Sequence, residues 1–437
     1  MKNILKVGIL GLGTVGAGVV NVLLRNGDEI VRRCGVSIDV KHVAVRDLNQ
    51  IRDCDTSKFT LTDDPWNVVN DPELDVIVEL IGGETIAKEL ILAAITNGKD
   101  VVTANKALIA LHGGELFSIA QSKGVSIFYE AAVAGGIGII KGLRESLVAN
   151  KIESVTGVIN GTSNFILTEM FDKGIDFQNA LLQAQNHGYA EADPSFDIEG
   201  LDAAYKLAIL SSIAFGVPLD TEQIAVDGIA SLSLQDIVFA KLLSYRIKHL
   251  AIAKLVDAKL QVRVYPALVP EKHFIANVDG VMNAVLLKSD AVGTSIYYGA
   301  GAGAEATASA VIADLVDVIR TKSIDAVSKV PALAFQPKSV QTIDQQSADQ
   351  FLSRHYLRVN TDDVSPTLAL LEKVFADLNI NLEIIQEQPI QQGNHFITIL
   401  IVTELTSESK IDNAIATIES IPIVQSNVTR IRVEHFD

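Results

Sequence analysis

Cysteine is nearly absent from this 437-residue chain: only Cys34 and Cys54 occur. Two thiols make no disulfide framework and fit a reducing compartment. Long apolar runs are lacking too. None reaches about 18 residues without a polar break, so no membrane span is expected. Nor is there an excess of positive charge. Lys and Arg number 36 against 53 Asp and Glu, for a net charge of −17. Such a chain repels a phosphate backbone, which argues against nucleic acid as a partner. No signal-peptide pattern opens the chain, because residues 1–7 lead straight into a strand. These absences point to a cytoplasmic protein.

What is present builds a folded molecule. Hydrophobic residues make up 48%, enough for a sizeable core, and the 20% charged residues argue against disorder. The length predicts two or three domains.

Residues 4–10 form an apolar run that reads as a buried parallel strand. Gly11-Leu12-Gly13-Thr14-Val15-Gly16 follows at once, and a helix is expected over 17–25. Strand, glycine turn and helix in this order form a dinucleotide-binding unit. The glycines allow a tight turn and close backbone approach, and the helix N-terminus favours a pyrophosphate. A second strand, 38–45, ends at Arg46, where folds that prefer NAD usually carry an acid. A guanidinium suits a 2′-phosphate, so NADP(H) is the preferred cofactor; Asp47 next door leaves NAD(H) open, and a plain surface arginine is the alternative. Further strands are expected at 74–80 and 101–106, with a helix over 85–97 between them. Ligands bind beyond the carboxyl ends of such strands, which puts Thr103, Asn105 and Lys106 where nicotinamide and substrate meet. A strand at 126–130 leads into a loop of small residues, 131–138. Glu130 beside free carbonyls offers oxygen ligands to a hard cation; a close-packed domain junction is the other reading.

From 151 to 300 strands and helices mix. Strands are expected at 153–159, 248–255, 261–268 and 283–288, and helices at 165–171, 203–214 and 233–243, an α+β domain. Its most informative stretch is 187–206. Glu191, Asp193 and Asp197 lie in a loop that feeds a helix carrying Asp202 and Lys206 four residues apart, on one face. Such pairs are commonly solvated, but 201–216 is otherwise almost wholly apolar, so this helix is expected to be buried. A buried lysine needs a partner and is prone to a shifted pKa, as at active sites. Residues 297–305 read as a second glycine-rich turn that opens a helix over 307–319 and returns the chain to the nucleotide domain. A polar linker ends near 350. Beyond it, strands at 356–359, 382–386, 396–403 and 428–433 and helices at 367–378 and 410–418 give the βαββαβ order of a ferredoxin-like domain.

With these pieces placed, the whole chain resembles the single-function homoserine dehydrogenases. The resemblance rests on Gly-Leu-Gly-Thr-Val-Gly at 11–16, Ala-Val-Arg-Asp at 44–47, Val-Val-Thr-Ala-Asn-Lys at 101–106 and Tyr-Glu-Ala-Ala-Val-Ala-Gly-Gly-Ile at 129–137. Asn-Gly-Thr-Ser-Asn at 160–164 and Gly-Tyr-Ala-Glu-Ala-Asp-Pro at 188–194, with Asp202 and Lys206, complete it. It implies an α/β Rossmann domain at 1–135 with 303–330 returning to it, an α+β catalytic and dimerisation domain at 136–302, a linker at 331–350 and an ACT-like regulatory domain at 351–437. No kinase-like domain precedes Met1, so a fusion with aspartate kinase is not expected.

The family interconverts L-homoserine and L-aspartate 4-semialdehyde with NAD(P) in threonine, methionine and isoleucine biosynthesis. The resemblance makes Lys206 the proton donor and acceptor, assisted by Asp202 and Lys106, with Glu191, Asp197 and Asp202 binding substrate. With the glycine turn and strand ends it gives a cofactor set of Gly11, Leu12, Gly13, Thr14, Val15, Gly16, Arg46, Thr103, Lys106, Gly188, Gly303 and Glu305. It also implies a structural Na+ on Glu130, Val133, Gly135 and Ile137, a homodimer or homotetramer, and an amino-acid effector as a possible partner. The ACT turn usually reads Asp-x-Pro-Gly; here it is Asp363-Val364-Ser365-Pro366-Thr367, without the glycine and with altered spacing. That departure puts feedback by threonine in doubt. The rival readings are a semialdehyde dehydrogenase, which needs a nucleophilic cysteine, and a non-catalytic NADP sensor, which does not need Glu191, Asp202 and Lys206.

Overall fold

The computed structural model describes residues 4–322, 324, 329–388 and 397–436. The chain divides into two compact units, each built from several segments. One comprises Met1–Gly161, Asp202–Ile224 and Val281–Ile343; the other Thr162–Leu201, Ala225–Gly280 and Asp344–Asp437. These limits differ from cuts at 135, 302 and 350, because both units recruit segments distant in sequence.

In the first unit a parallel sheet is built from β1 (Ile4–Leu10), β2 (Ser37–Ala44), β3 (Thr60–Thr62), β4 (Val76–Glu79), β5 (Asp100–Thr103) and β6 (Ile127–Phe128). Its order is β3-β2-β1-β4-β5-β6. Every pair is parallel. The order reverses between β1 and β4, and the crevice at their carboxyl ends is where this class of sheet takes ligands. The helices are α1 (Thr14–Cys34), α2 (Pro65–Val69), α3 (Thr85–Thr96) and α4 (Lys106–Ser122). The first helix runs well beyond 25, because its polar middle faces solvent, and it closes at Gly35 in the left-handed region. The strand expected at 126–130 shortens to two residues, since the chain enters a 3-10 turn at Glu130–Ala132.

Helix Ala304–Thr321 lies in the same apolar core: Ala308, Val311, Leu315 and Val318 pack with Val7, Ile9, Val19 and Val102. Gly18 permits the close approach, since a Cβ there would stand 2.5 Å from the Ala304 carbonyl oxygen. The remainder of the 303–330 segment includes residues outside those described. The unit also holds an antiparallel set of β7 (Ile152–Val158), Met282–Ser289 and Gly293–Ala300. Tyr297–Ala300 is therefore strand rather than turn: Tyr297 pairs with Val285 and Tyr298 with Ala284, and the turn is confined to 301–303.

In the second unit, strands Tyr245–Val256 and Lys259–Pro270 pair antiparallel along their full length. The latter also pairs in parallel with Val424–Val433, through Ala267–Arg432 and Leu268–Val433. Residues 352–433 run strand, helix, strand, strand, helix, strand, apart from a two-residue strand before the second helix. The sheet order is Val424–Val433, Leu352–Thr361, Ile397–Thr403, Leu382–Gln388, all antiparallel. Leu357, Val359, Leu371, Phe375, Ile399, Ile401 and Ile411 form its core. Phe396, expected to start a strand, lies outside the described residues. The helix expected over 367–378 begins earlier, at Val364, because Asp363 caps it by accepting from the Ser365 N–H.

Candidate active site

Helix Leu201–Phe215 is apolar on nearly every face, and twelve of its residues are buried, Asp202 among them. The Asp202–Lys206 pair is thus no solvated surface pair. Asp202 is only 2% exposed. Its Oδ2 lies 2.6 Å from Lys206 Nζ and accepts from Asn160 Nδ2 at 2.8 Å. Its Oδ1 lies 2.8 Å from Lys106 Nζ. Lys206 also donates to the Ile159 carbonyl at 2.8 Å. Burial alone would raise the Asp202 pKa; the Lys206 and Lys106 ammoniums outweigh it and hold the carboxyl well below the usual range. Lys106 arrives because it opens α4, directly after Asn105, whose side chain caps the helix by accepting from the Leu108 N–H. Sequence reasoning placed Asn160 at a strand end but gave it no role. The signal available was its place at the carboxyl end of β7.

The nucleotide end of this unit is shaped for an anion. Gly11 has φ +98°, and a Cβ at Gly16 would meet the Gly11 carbonyl oxygen at 2.3 Å, so the turn requires both. A Cβ at Gly13 would meet nothing within 4 Å, which leaves room for a ligand against the backbone. No acidic residue stands in the first turn of α1. Leu12 lies buried in the glycine turn, and Thr14, exposed, and Val15 open α1. Arg46 is exposed and makes no hydrogen bond or ion pair with the described residues. Neighbouring Asp47 turns its carboxylate back onto the Asn49 N–H at 2.9 Å.

Three expected side chains point elsewhere. Thr103 is fully buried and donates its hydroxyl to Glu79 at 2.6 Å, so that hydroxyl serves the strand ends and not a cofactor. Glu305 follows Gly303 at the start of helix Ala304–Thr321, and Arg25 holds its carboxylate at 2.7 and 2.8 Å. The Glu130 carboxylate accepts from the Ile140 and Lys141 N–H groups at 2.9 and 2.8 Å, so both of its oxygens are engaged by backbone. Among the described residues no cluster of His, Cys, Asp or Glu is arranged to hold a metal ion. The loop carbonyls of Val133, Gly135 and Ile137 accept no hydrogen bond from the described residues.

Gly188, Glu191, Asp193 and Asp197 belong to the second unit. Gly188 has φ +73° just past helix Phe177–Asn186. Glu191 is exposed in the following loop, and Asp197 is half-buried in the short helix Ser195–Ile198. Asp193 accepts from the Ser195 N–H and hydroxyl at 3.1 and 2.5 Å, so its carboxylate serves the loop.

The sequence matches two family models: the homoserine dehydrogenase NAD-binding domain over residues 11–130 and homoserine dehydrogenase over 139–316. It is 49% identical over 432 residues to a homoserine dehydrogenase of Pseudomonas aeruginosa, with 99% of each chain covered. A crystal structure of a homoserine dehydrogenase from Thiobacillus denitrificans superposes with a TM-score of 0.93 at 50% identity, over 99% of this chain and 98% of that one. A hyperthermophilic archaeal homoserine dehydrogenase solved in complex with NADPH is more distant, with 27% identity and a TM-score of 0.61 over 74% of this chain and 99% of that one. A glycine turn, a buried carboxylate between two lysines and these matches agree: the chain belongs to the homoserine dehydrogenase family.

Proposed function

We propose that this chain interconverts L-homoserine and L-aspartate 4-semialdehyde, with NADP(H) preferred over NAD(H). The observation that carries the chemistry is the Asp202 carboxylate clamped between Lys106 and Lys206. A nicotinamide cofactor supplies the hydride donor and acceptor when bound. The protein must supply a proton to the alkoxide that emerges from the aldehyde. Asp202, held far below the usual carboxylate range, stays ionised and carries no proton to give. The proton therefore comes from Lys206, whose position is fixed by Asp202 and the Ile159 carbonyl. Lys106 adds a second positive charge that stabilises the developing oxyanion. In the reverse direction Lys206, deprotonated, takes the hydroxyl proton of the alcohol. Glu191 and Asp197 are assigned to the substrate, and Gly188 and Gly303 to the cofactor.

NADP preference is supported by the unengaged Arg46 and by Asp47 turning away. The unbonded carbonyls of Val133, Gly135 and Ile137, with the Glu130 backbone, support a structural Na+. The C-terminal strand order supports an ACT-like ferredoxin fold. There Thr367 is buried and donates to the Asp363 carbonyl, so the turn is filled by its own side chain and assembly is the better-supported role than effector binding. Strand Gly293–Ala300 exposes Ile296 and Tyr298, which supports pairing with a second copy. No described helix is long and apolar enough to cross a membrane, and both cysteines are free, which fits a cytoplasmic enzyme. Neither is an activated nucleophile: Cys34 donates to the Val36 carbonyl, and burial pushes the Cys54 thiol up.

The test is reduced-nicotinamide absorbance with L-homoserine and either NADP or NAD. We expect turnover with NADP and a loss of about 10² to 10⁴-fold in Lys206→Ala, with NADP affinity retained. Near-normal turnover in that variant would remove Lys206 from its role.

A further inference from the structure

Glu79 ends β4 and has no exposed surface. Its Oε1 accepts from the N–H groups of Ile81 and Gly82 at 3.0 and 2.9 Å, and its Oε2 from the Thr103 hydroxyl at 2.6 Å. It has no cationic partner within ion-pair distance among the described residues. Burial raises its pKa, and these donors oppose the rise.

The contacts continue from Glu79 without a gap. Thr103 Oγ1 accepts from the Asn105 N–H at 3.0 Å. Asn105 donates to the Gly83 carbonyl at 2.6 Å and accepts from the Leu108 N–H at 3.1 Å, which starts α4. The next residue, Lys106, reaches Asp202. One carboxylate thus ties the ends of β4 and β5 to each other and to the first residue of α4. Ile81 and Gly82 open the turn after β4, where Gly82 and Gly83 have φ of +69° and +76°.

We propose that Glu79 is a positioning residue for Lys106, acting through Thr103 and Asn105 to set the lysine's place against Asp202. The inference rests on the dehydrogenase reading above. The carboxylate matters because its oxygens only accept. An amide in its place would turn an N–H toward the Thr103 hydroxyl, which already receives the Asn105 N–H, and the hydroxyl proton would lose its acceptor.

A double-mutant cycle tests this. Glu79→Gln should lower kcat about tenfold, leave the KM for NADP within about twofold, and have almost no further effect in a K106M background, as expected for residues that act as a unit. An equal loss in both backgrounds, or full turnover in E79Q, would overturn it. If E79Q does not fold, T103V breaks the same link at one hydroxyl and enters the cycle instead. Acylation of Lys106 by an amine-reactive reagent, read by mass spectrometry, needs no turnover. E79Q should raise the labelling rate of Lys106 about threefold relative to Lys206, as the ammonium loosens from Asp202. An unchanged ratio would also overturn the inference. Wild-type protein that never oxidises homoserine defeats the dehydrogenase reading, while the labelling ratio still decides the role of Glu79.

Discussion

Asp202 carries two ammoniums on its two oxygens, and a third donor, Asn160, on Oδ2. Removing its charge would leave two buried or half-buried lysines facing each other, so the carboxylate does structural and electrostatic work at once. Arg46 is the opposite case, an exposed guanidinium with no protein partner among the described residues. Arg46→Ala should raise the KM for NADP about tenfold and change that for NAD little, because only the 2′-phosphate needs the charge. Steady-state kinetics with both cofactors checks this. Equal effects on the two would assign Arg46 to the surface.

At the scale of elements, helix Ala304–Thr321 buries Asp314 at 1% exposure among apolar neighbours. Burial pushes its pKa up to about 7; Lys141 at 3.5 Å opposes the rise, while Glu130 and Asp317 add to it. Its Oδ2 accepts the Glu130 N–H at 2.8 Å, which ties this helix to the small-residue loop. In the unfolded chain the same carboxyl titrates near 4. The folded state therefore holds a proton that the unfolded state has lost between about pH 4 and 7, and stability contributed by Asp314 falls as pH rises through that window. Asp314→Asn keeps the hydrogen bond and removes the titration. Its melting temperature relative to wild type should rise from pH 4.5 to about 7 and level off above that. A difference that does not vary with pH would contradict the assignment.

At the scale of the molecule, the C-terminal segment completes a sheet within the second unit. Strand Val424–Val433 covers the edge of Lys259–Pro270, and Tyr265 of that strand donates to Glu434. Arg263 and Tyr265 are 2% and 1% exposed. A chain ending at 343 would open this edge at Ala267 and Leu268 and remove Ser353 from Arg263 and Glu434 from Tyr265. We expect it to lose soluble yield and to melt at least about 5 °C lower than the full chain. A truncated chain that is equally soluble and stable would show that the second unit does not need this strand.

The sequence by itself determined what depends on near neighbours along the chain. The glycine turn after β1, the Asp202–Lys206 spacing on an apolar helix and the βαββαβ order were legible, because periodicity and backbone freedom are local properties. Helix and strand limits were less so: α1 outran its apolar pattern, and Tyr297–Ala300 joined a strand because Met282–Ser289 supplied a partner. Only the tertiary structure decided which groups meet. Lys106 reaches Asp202 from another strand end, Glu79 organises that end from beneath notice in an apolar run, and the Glu130 carboxylate and Thr103 hydroxyl are consumed by backbone and buried partners. Each of these follows from satisfying buried polar groups, a constraint set by whichever segments the fold brings together rather than by the residues beside them in the chain.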